Sequence, residues 1–339
     1  MFLVLIFFLL ISFNNINSLM YCTKREDFQA EIDGKKVDLY YLMNNNGYEI
    51  SITNYGGIIV SILVPNSEHK LDNIVHGYPT LQEYILHQKK GEIINSLLGR
   101  YSNEIKDGEF ILDNQTYKLK DLNNYSNFGE KVWTAVQINS KELRLYYTSE
   151  DGENGFPGKL HVEVVYSLND DNEFKISYTG ITTKKTVVNL SQRLFINLYG
   201  NINCEIKNHI LSLNSKLYLP TDENKIPLGD IKLVDNTIYD LRNEKKIGEK
   251  NLDNYFILDK NNYNEMGIGA FLQEKKSGRI LKISTTQPGL NIFSDNYGIS
   301  IEPMHFPDSP NIGFFPSTIL EPGKVYRQET IYKFEVRKD

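Results

Sequence analysis

Glu302 stands in the run Ile301-Glu302-Pro303-Met304-His305-Phe306-Pro307-Asp308-Ser309-Pro310-Asn311, with a histidine three residues beyond the carboxylate. A glutamate can take up and return a proton and can accept two hydroxyls at once; taken alone, it is also an ordinary surface carboxylate at a strand end. Other chemistry-bearing residues are sparse. The chain has two cysteines, Cys22 and Cys204, spaced far too widely to read as a metal site. In an oxidising compartment they make one disulfide possible, and two unpaired thiols are the equal alternative. Sequons occur at Asn114, Asn124 and Asn189. Asn114, in the apparent turn Leu112-Asp113-Asn114-Gln115-Thr116-Tyr117, is the best-placed glycan acceptor. No metal-ligand spacing, phosphate loop or nucleophile–base pair stands out.

The elements that must carry these residues read as strands. Leu160 to Leu168, Glu173 to Tyr178 and Ile280 to Ser284 alternate apolar and polar side chains and are rich in β-branched or aromatic residues. Turn chemistry separates them at 150–155, 169–172 and 276–278. Convincing helical windows are nearly absent, Thr80 to Gln88 being the best short one. The pattern predicts an all-β chain of stacked sheets in one continuous domain. The 22 Tyr and 17 Phe are more simply core and cross-strand residues than a binding platform.

With 339 residues, 40% hydrophobic and 24% charged, the chain can bury a sizeable core. A net charge of -6 and no Lys/Arg run longer than two disfavour nucleic acid as a partner. Phe2 to Phe13 is an uncharged apolar run, too short to span a bilayer and close to a signal-peptide core; the polar Asn14 to Ser18 follows it. The expected organisation is a signal peptide over residues 1–18 and one domain over 25–339, secreted or in the secretory pathway, with no membrane attachment after cleavage. An uncleaved anchor is the alternative.

Several segments, in order along the chain, resemble the aldose 1-epimerase (galactose mutarotase) family. They are Thr53-Asn54-Tyr55-Gly56-Gly57, Leu98-Gly99-Arg100-Tyr101-Ser102-Asn103, Asp151-Gly152-Glu153-Asn154-Gly155-Phe156-Pro157-Gly158, and Asn197-Leu198-Tyr199-Gly200. Leu252-Asp253-Asn254-Tyr255-Phe256, Thr286-Gln287-Pro288-Gly289 and the run around Glu302 follow, the last being the most specific. The resemblance implies a galactose mutarotase-like β-sandwich (supersandwich) and an isomerase that interconverts the anomers of a free aldohexose without metal or cofactor. In that reaction a base removes the anomeric hydroxyl proton, an acid protonates the ring oxygen, and the opened sugar turns and recloses. By resemblance Glu302 is the catalytic base, Asp253 accepts sugar hydroxyls, and Asn103 and Gln287 add polar contacts.

Three positions depart from the family pattern. Its Asn-Arg pair reads Asn103-Glu104, reversing a charge that should face the sugar. Its segment with a second histidine has no counterpart in Asn123 to Trp133. Its acid histidine is replaced by Arg193, which stays protonated and is a poor proton donor. Arg193 is then a new ligand contact or a partner for Glu104, while His305 reads as structural. The leading expectation is a sugar-binding member in which anomerisation is weak or lost. A working epimerase with a replaced acid and a secreted non-catalytic interaction protein are the alternatives, because function lives in the site rather than the scaffold.

Overall fold

The structure, a computed structural model, describes residues 23–120, 127–201, 203–249 and 251–337. The run 2–13, Cys22 and the sequon at Asn124 lie outside the described residues, and with them the expected signal peptide and the pairing of Cys22 with Cys204.

The chain is all-β, as the alternation predicts. A nine-stranded antiparallel sheet runs in the order Thr134–Asn139, Glu142–Ser149, Leu160–Leu168, Glu173–Thr182, Tyr326–Val336, Arg279–Thr285, Gly267–Gln273, Ile210–Leu213 and Lys245–Lys246. Leu160, Val162, Val164, Tyr166 and Leu168 point to its buried face and the residues between them point outward. A six-stranded sheet has the order Phe195–Ile196, Ile299–Met304, Gly289–Ser294, Asp253–Ile257, Leu217–Leu219 and Lys232–Leu233. A four-stranded sheet is built from Leu39–Met43, Glu49–Thr53, Ile58–Pro65 and Leu71–Asn73. One apolar cluster joins all three, taking Ile52 and Ile62 from the third, Val164, Ile176 and Leu281 from the first, and Phe256, Ile292 and Ile301 from the second. The result is a sandwich whose sheets share a single core.

The helix over Leu81–Gln88 starts where the sequence suggests, with the Thr80 hydroxyl accepting from the Glu83 amide at 3.3 Å. Burial of Leu81, Tyr84 and Gln88 fits one helical face. Of the sequons, Asn114 is exposed at the tip of the hairpin Glu109–Leu112/Gln115–Lys118, where Asp113 and Asn114 both take positive φ. Asn189 is 0% exposed and hydrogen-bonded at both ends of its amide, so this fold has no room for a glycan there.

Candidate functional site

The six-stranded sheet places the site by register. Tyr255 lies opposite Asn291, and Asn291 opposite Glu302, so three side chains on adjacent strands form one row across the sheet face. Two residues along, on the same face, Asp253, Phe293, Ser300 and Phe195 form a second row. Tyr255, Asn291, Asp253, Phe293 and Phe195 of these rows line a cleft of about 530 Å³, with Glu302 and Ser300 buried beneath it, and Arg193, Glu104, Lys225 and His76 join the lining from the surrounding loops.

Glu302 sits at the base of this arrangement and is 0% exposed. Its Oε1 accepts from Arg193 Nε at 2.6 Å and from Ser300 Oγ at 2.9 Å. Its Oε2 accepts from Asn291 Nδ2 at 3.1 Å and from Arg193 Nη2 at 3.5 Å. Four donors therefore meet the roughly four lone-pair sites of an ionised carboxylate. Burial opposes the Arg193 charge, but the adjacent Glu302 outweighs it and holds the guanidinium above its usual range. The second terminal nitrogen of Arg193 reaches Ile93 O at 3.4 Å. Arg193 thus lies between the cleft and the carboxylate, paired with Glu302 rather than with Glu104.

Glu104 has a different partner. Its Oε2 accepts from the Tyr255 hydroxyl at 2.7 Å, and its backbone oxygen accepts from the Asp308 amide at 2.7 Å. Burial pushes its carboxyl above the usual carboxylate range, the nearby Glu302 charge adding to that while Tyr255 and Arg193 oppose it. Tyr255 is itself driven well above the ordinary phenol range by burial, with Glu104 adding, which makes it a poor proton donor at neutral pH. At the rim, Lys225 and Asp253 form an ion pair at 2.5 Å.

The residues expected from sequence therefore separate into two groups. Glu302, Arg193 and Asp253 come together in and beneath the cleft. Asn103 and Gln287 do not line it. Asn103 Nδ2 donates to His305 O at 2.6 Å and its Oδ1 accepts from Asn189 at 3.2 Å, so its amide ties the loop carrying Glu104 to the segment after Glu302. Gln287 is buried in the turn after Arg279–Thr285, with Oε1 lacking a hydrogen-bond partner among the described residues. His305 also lies outside the lining; burial pushes its imidazole down to about 4, which suits a neutral structural ring.

Sequence reasoning passes over Asn291, Ser300, Tyr255, Lys225 and His76. Asn291 and Ser300 could have been found by pairing the strand before Glu302 with its neighbour, and Tyr255 by counting two residues on from Asp253. His76 has no such signal, since it reaches the cleft from the segment after Leu71–Asn73; burial lowers its pKa and Asp295 opposes that shift.

A family model described as Aldose 1-epimerase matches residues 38–333. Galactose mutarotase of Rattus norvegicus is 30% identical over 326 residues, covering 87% of this chain and 94% of its own length. Aldose 1-epimerase of Escherichia coli is 28% identical over 338 residues, covering 89% and 96%. Among solved structures, an aldose epimerase homologue from C. elegans superposes with a TM-score of 0.81 at 22% identity, covering 88% of this chain and 99% of that one. Galactose 1-epimerase from Lactobacillus acidophilus gives 0.77 at 22% identity, covering 91% and 97%.

Proposed function

The chain belongs to the aldose 1-epimerase family, and on that premise we propose that it binds an aldohexose in the cleft while catalysing anomerisation weakly or not at all. The observation that carries this reading is the 2.6 Å pair between Arg193 and Glu302. A base must have a free lone pair to take the anomeric proton, and here each carboxylate oxygen already accepts two donors. At the position matching the family acid stands a guanidinium that does not release its proton near neutral pH. Tyr255, the nearest hydroxyl in the same row, is shifted away from donating.

The sugar-binding half of the reading is supported by the shape and lining of the cleft. A volume of about 530 Å³ takes a hexose with room to spare, and the Phe195 and Phe293 rings next to Asp253 and Asn291 combine apolar faces with polar edges. Titration calorimetry with galactose and glucose, run beside polarimetry of the freshly dissolved α anomers, tests the two halves together. The expected result is heat of binding with anomerisation close to the buffer rate. A rate comparable to that of the rat relative would overturn the catalytic half, and no heat with any sugar would favour an interaction protein on the same scaffold.

The apolar run Phe2 to Phe13 supports export through the secretory pathway. N-terminal sequencing of protein collected from medium or vesicles should begin between about Leu19 and Thr23. A cytosolic product starting at Met1 would rule this out.

A further inference from the structure

We propose that the preferred ligand is an aldohexose bearing an ammonium group in place of one hydroxyl, with Glu104 as its counter-ion. The proposal rests on the sugar-binding reading above and names the class of sugar. Four carboxylates line the cleft, Glu92, Glu104, Asp253 and Asp295, against two cations, Arg193 and Lys225. Neither cation is available to balance Glu104. Arg193 is held by Glu302 at 2.6 Å and Lys225 by Asp253 at 2.5 Å. Glu92 sits next to His87 at 2.5 Å, and Asp295 accepts the backbone amides of Tyr297 and Gly298 at 2.7 and 2.8 Å.

Glu104 differs from the other three. It lines the cleft half-buried, its side chain accepts from neutral donors, the Tyr255 hydroxyl and its own amide, and by resemblance it stands where an arginine would face the sugar. Reversing that charge removes a donor to sugar oxygens and supplies an acceptor whose charge is poorly compensated. A neutral sugar hydroxyl can donate to Glu104 but leaves its charge unbalanced. An ammonium both donates and neutralises, and hydrogen bonds between two ionised groups are about twice as strong as neutral ones. Carboxylate sugars are disfavoured by the same groups, since Arg193 is already occupied.

The charged and titratable groups facing Glu104 are the Tyr255 hydroxyl, the Arg193 guanidinium and the Glu302 carboxylate. The last two largely cancel each other at 2.6 Å. Burial raises the Glu104 pKa, so the ionised form is lost as pH falls through that raised value and is fully present above it. The preference for a cationic sugar should follow the same course. Bound ammonium favours the ionised form and releases whatever fraction of a proton Glu104 still carries.

The test is titration calorimetry on the full mature chain with D-galactose, D-galactosamine, 6-amino-6-deoxy-D-galactose and D-galacturonate. At near-neutral pH one of the two amino sugars should bind about tenfold more tightly than galactose, the worth of one charge-assisted hydrogen bond. Galacturonate should bind more weakly than galactose. In Glu104→Gln the ratio of amino sugar to galactose affinity should fall toward unity. In the wild-type protein, independent of any variant's folding, the same ratio should shrink on acidification. Equal affinities for galactose and both amino sugars, or a ratio unchanged in Glu104→Gln, would overturn the proposal while leaving sugar binding intact. No binding of any of the four would overturn both.

Discussion

A Glu302→Gln variant should show no anomerisation above the buffer rate, whatever small rate the wild-type protein has. Of the two proton-transfer positions that the resemblance implies, Glu302 is the one where the expected residue type stands. When Arg193 swings aside, a freed lone pair on Glu302 can take the anomeric proton while water, a weaker and unoriented acid, serves the ring oxygen. Positioned general bases contribute about 10²–10⁴-fold, so the activity at stake is the whole of the enzymatic rate. Glutamine matches the shape but offers one acceptor oxygen where the carboxylate has two. That oxygen can keep Arg193 Nε and Ser300 Oγ, which now meet Oε1, while the new amide group faces two donors, Asn291 Nδ2 and Arg193 Nη2. If Asn291 turns its amide over, that contact is restored and Arg193 Nη2 alone loses its acceptor; if not, donor faces donor, at a cost of about 1–3 kcal/mol for each buried group left unpaired. A moderate loss of stability alongside a complete loss of rate is therefore expected. Asp253→Ala gives the contrast, since on the proposed reading this rim carboxylate, paired with Lys225, contacts the sugar away from the reacting atoms, and its loss should weaken affinity before it affects the chemical step. Polarimetry reads the outcome directly. Equal rates in wild type and Glu302→Gln, both above buffer, would assign proton transfer to another residue.

How far the sequence reveals the molecule depends on what each residue touches. Leu160–Leu168 is legible to the residue because one face meets the core and the other meets water, which writes a period of two into the side chains. Thr80 and the apolar stripe after it mark the helix in the same way. Ile299–Met304 carries the central carboxylate yet is buried along its whole length, so no alternation marks it and only its resemblance to a family motif draws attention to it. Motifs in turn identify positions, not partners. Asn103 matches a family pattern, but its amide is committed to His305 and Asn189 once the chain folds. Arg193 and Glu302 are 109 residues apart, and whether such a cation meets this carboxylate or Glu104 depends on the angle at which one loop enters the sheet. That angle is set by the Arg193 amide bonding to Ser96 O at 3.0 Å and by the short pairing of Ser191–Gln192 with Leu97–Leu98. None of these long-range contacts is written in local composition.

The Arg193–Glu302 pair also makes a gain of function predictable. Arg193→His should raise the anomerisation rate above wild type by about tenfold and still fall well short of an authentic mutarotase. Two effects act in its favour: Glu302 loses the donor that occupies both its oxygens, and an imidazole, which titrates near neutral pH, takes the position that by resemblance belongs to the acid. A well-placed acid would supply about 10²–10⁴-fold, but small misplacements cost about 10², and Glu104 still presents a carboxylate where the resemblance implies a guanidinium facing the sugar. Combining Arg193→His with Glu104→Arg should therefore exceed either single change, because both residues face one ligand and their effects are coupled. Arg193→Ala separates the two contributions. It frees the base without adding an acid, and it strands a fully buried carboxylate on Asn291 and Ser300 alone, so a stability loss of about 3 kcal/mol is expected, reduced to the extent that water enters beside the 29% exposed guanidinium position. Its rate should lie between wild type and Arg193→His. Denaturant unfolding and polarimetry on the four variants would read both quantities. A single Arg193→His variant as fast as the rat relative would show that Glu104 does not misplace the sugar. Rates at or below wild type in all of them, with the proteins folded, would show that the guanidinium over Glu302 is not what limits the reaction.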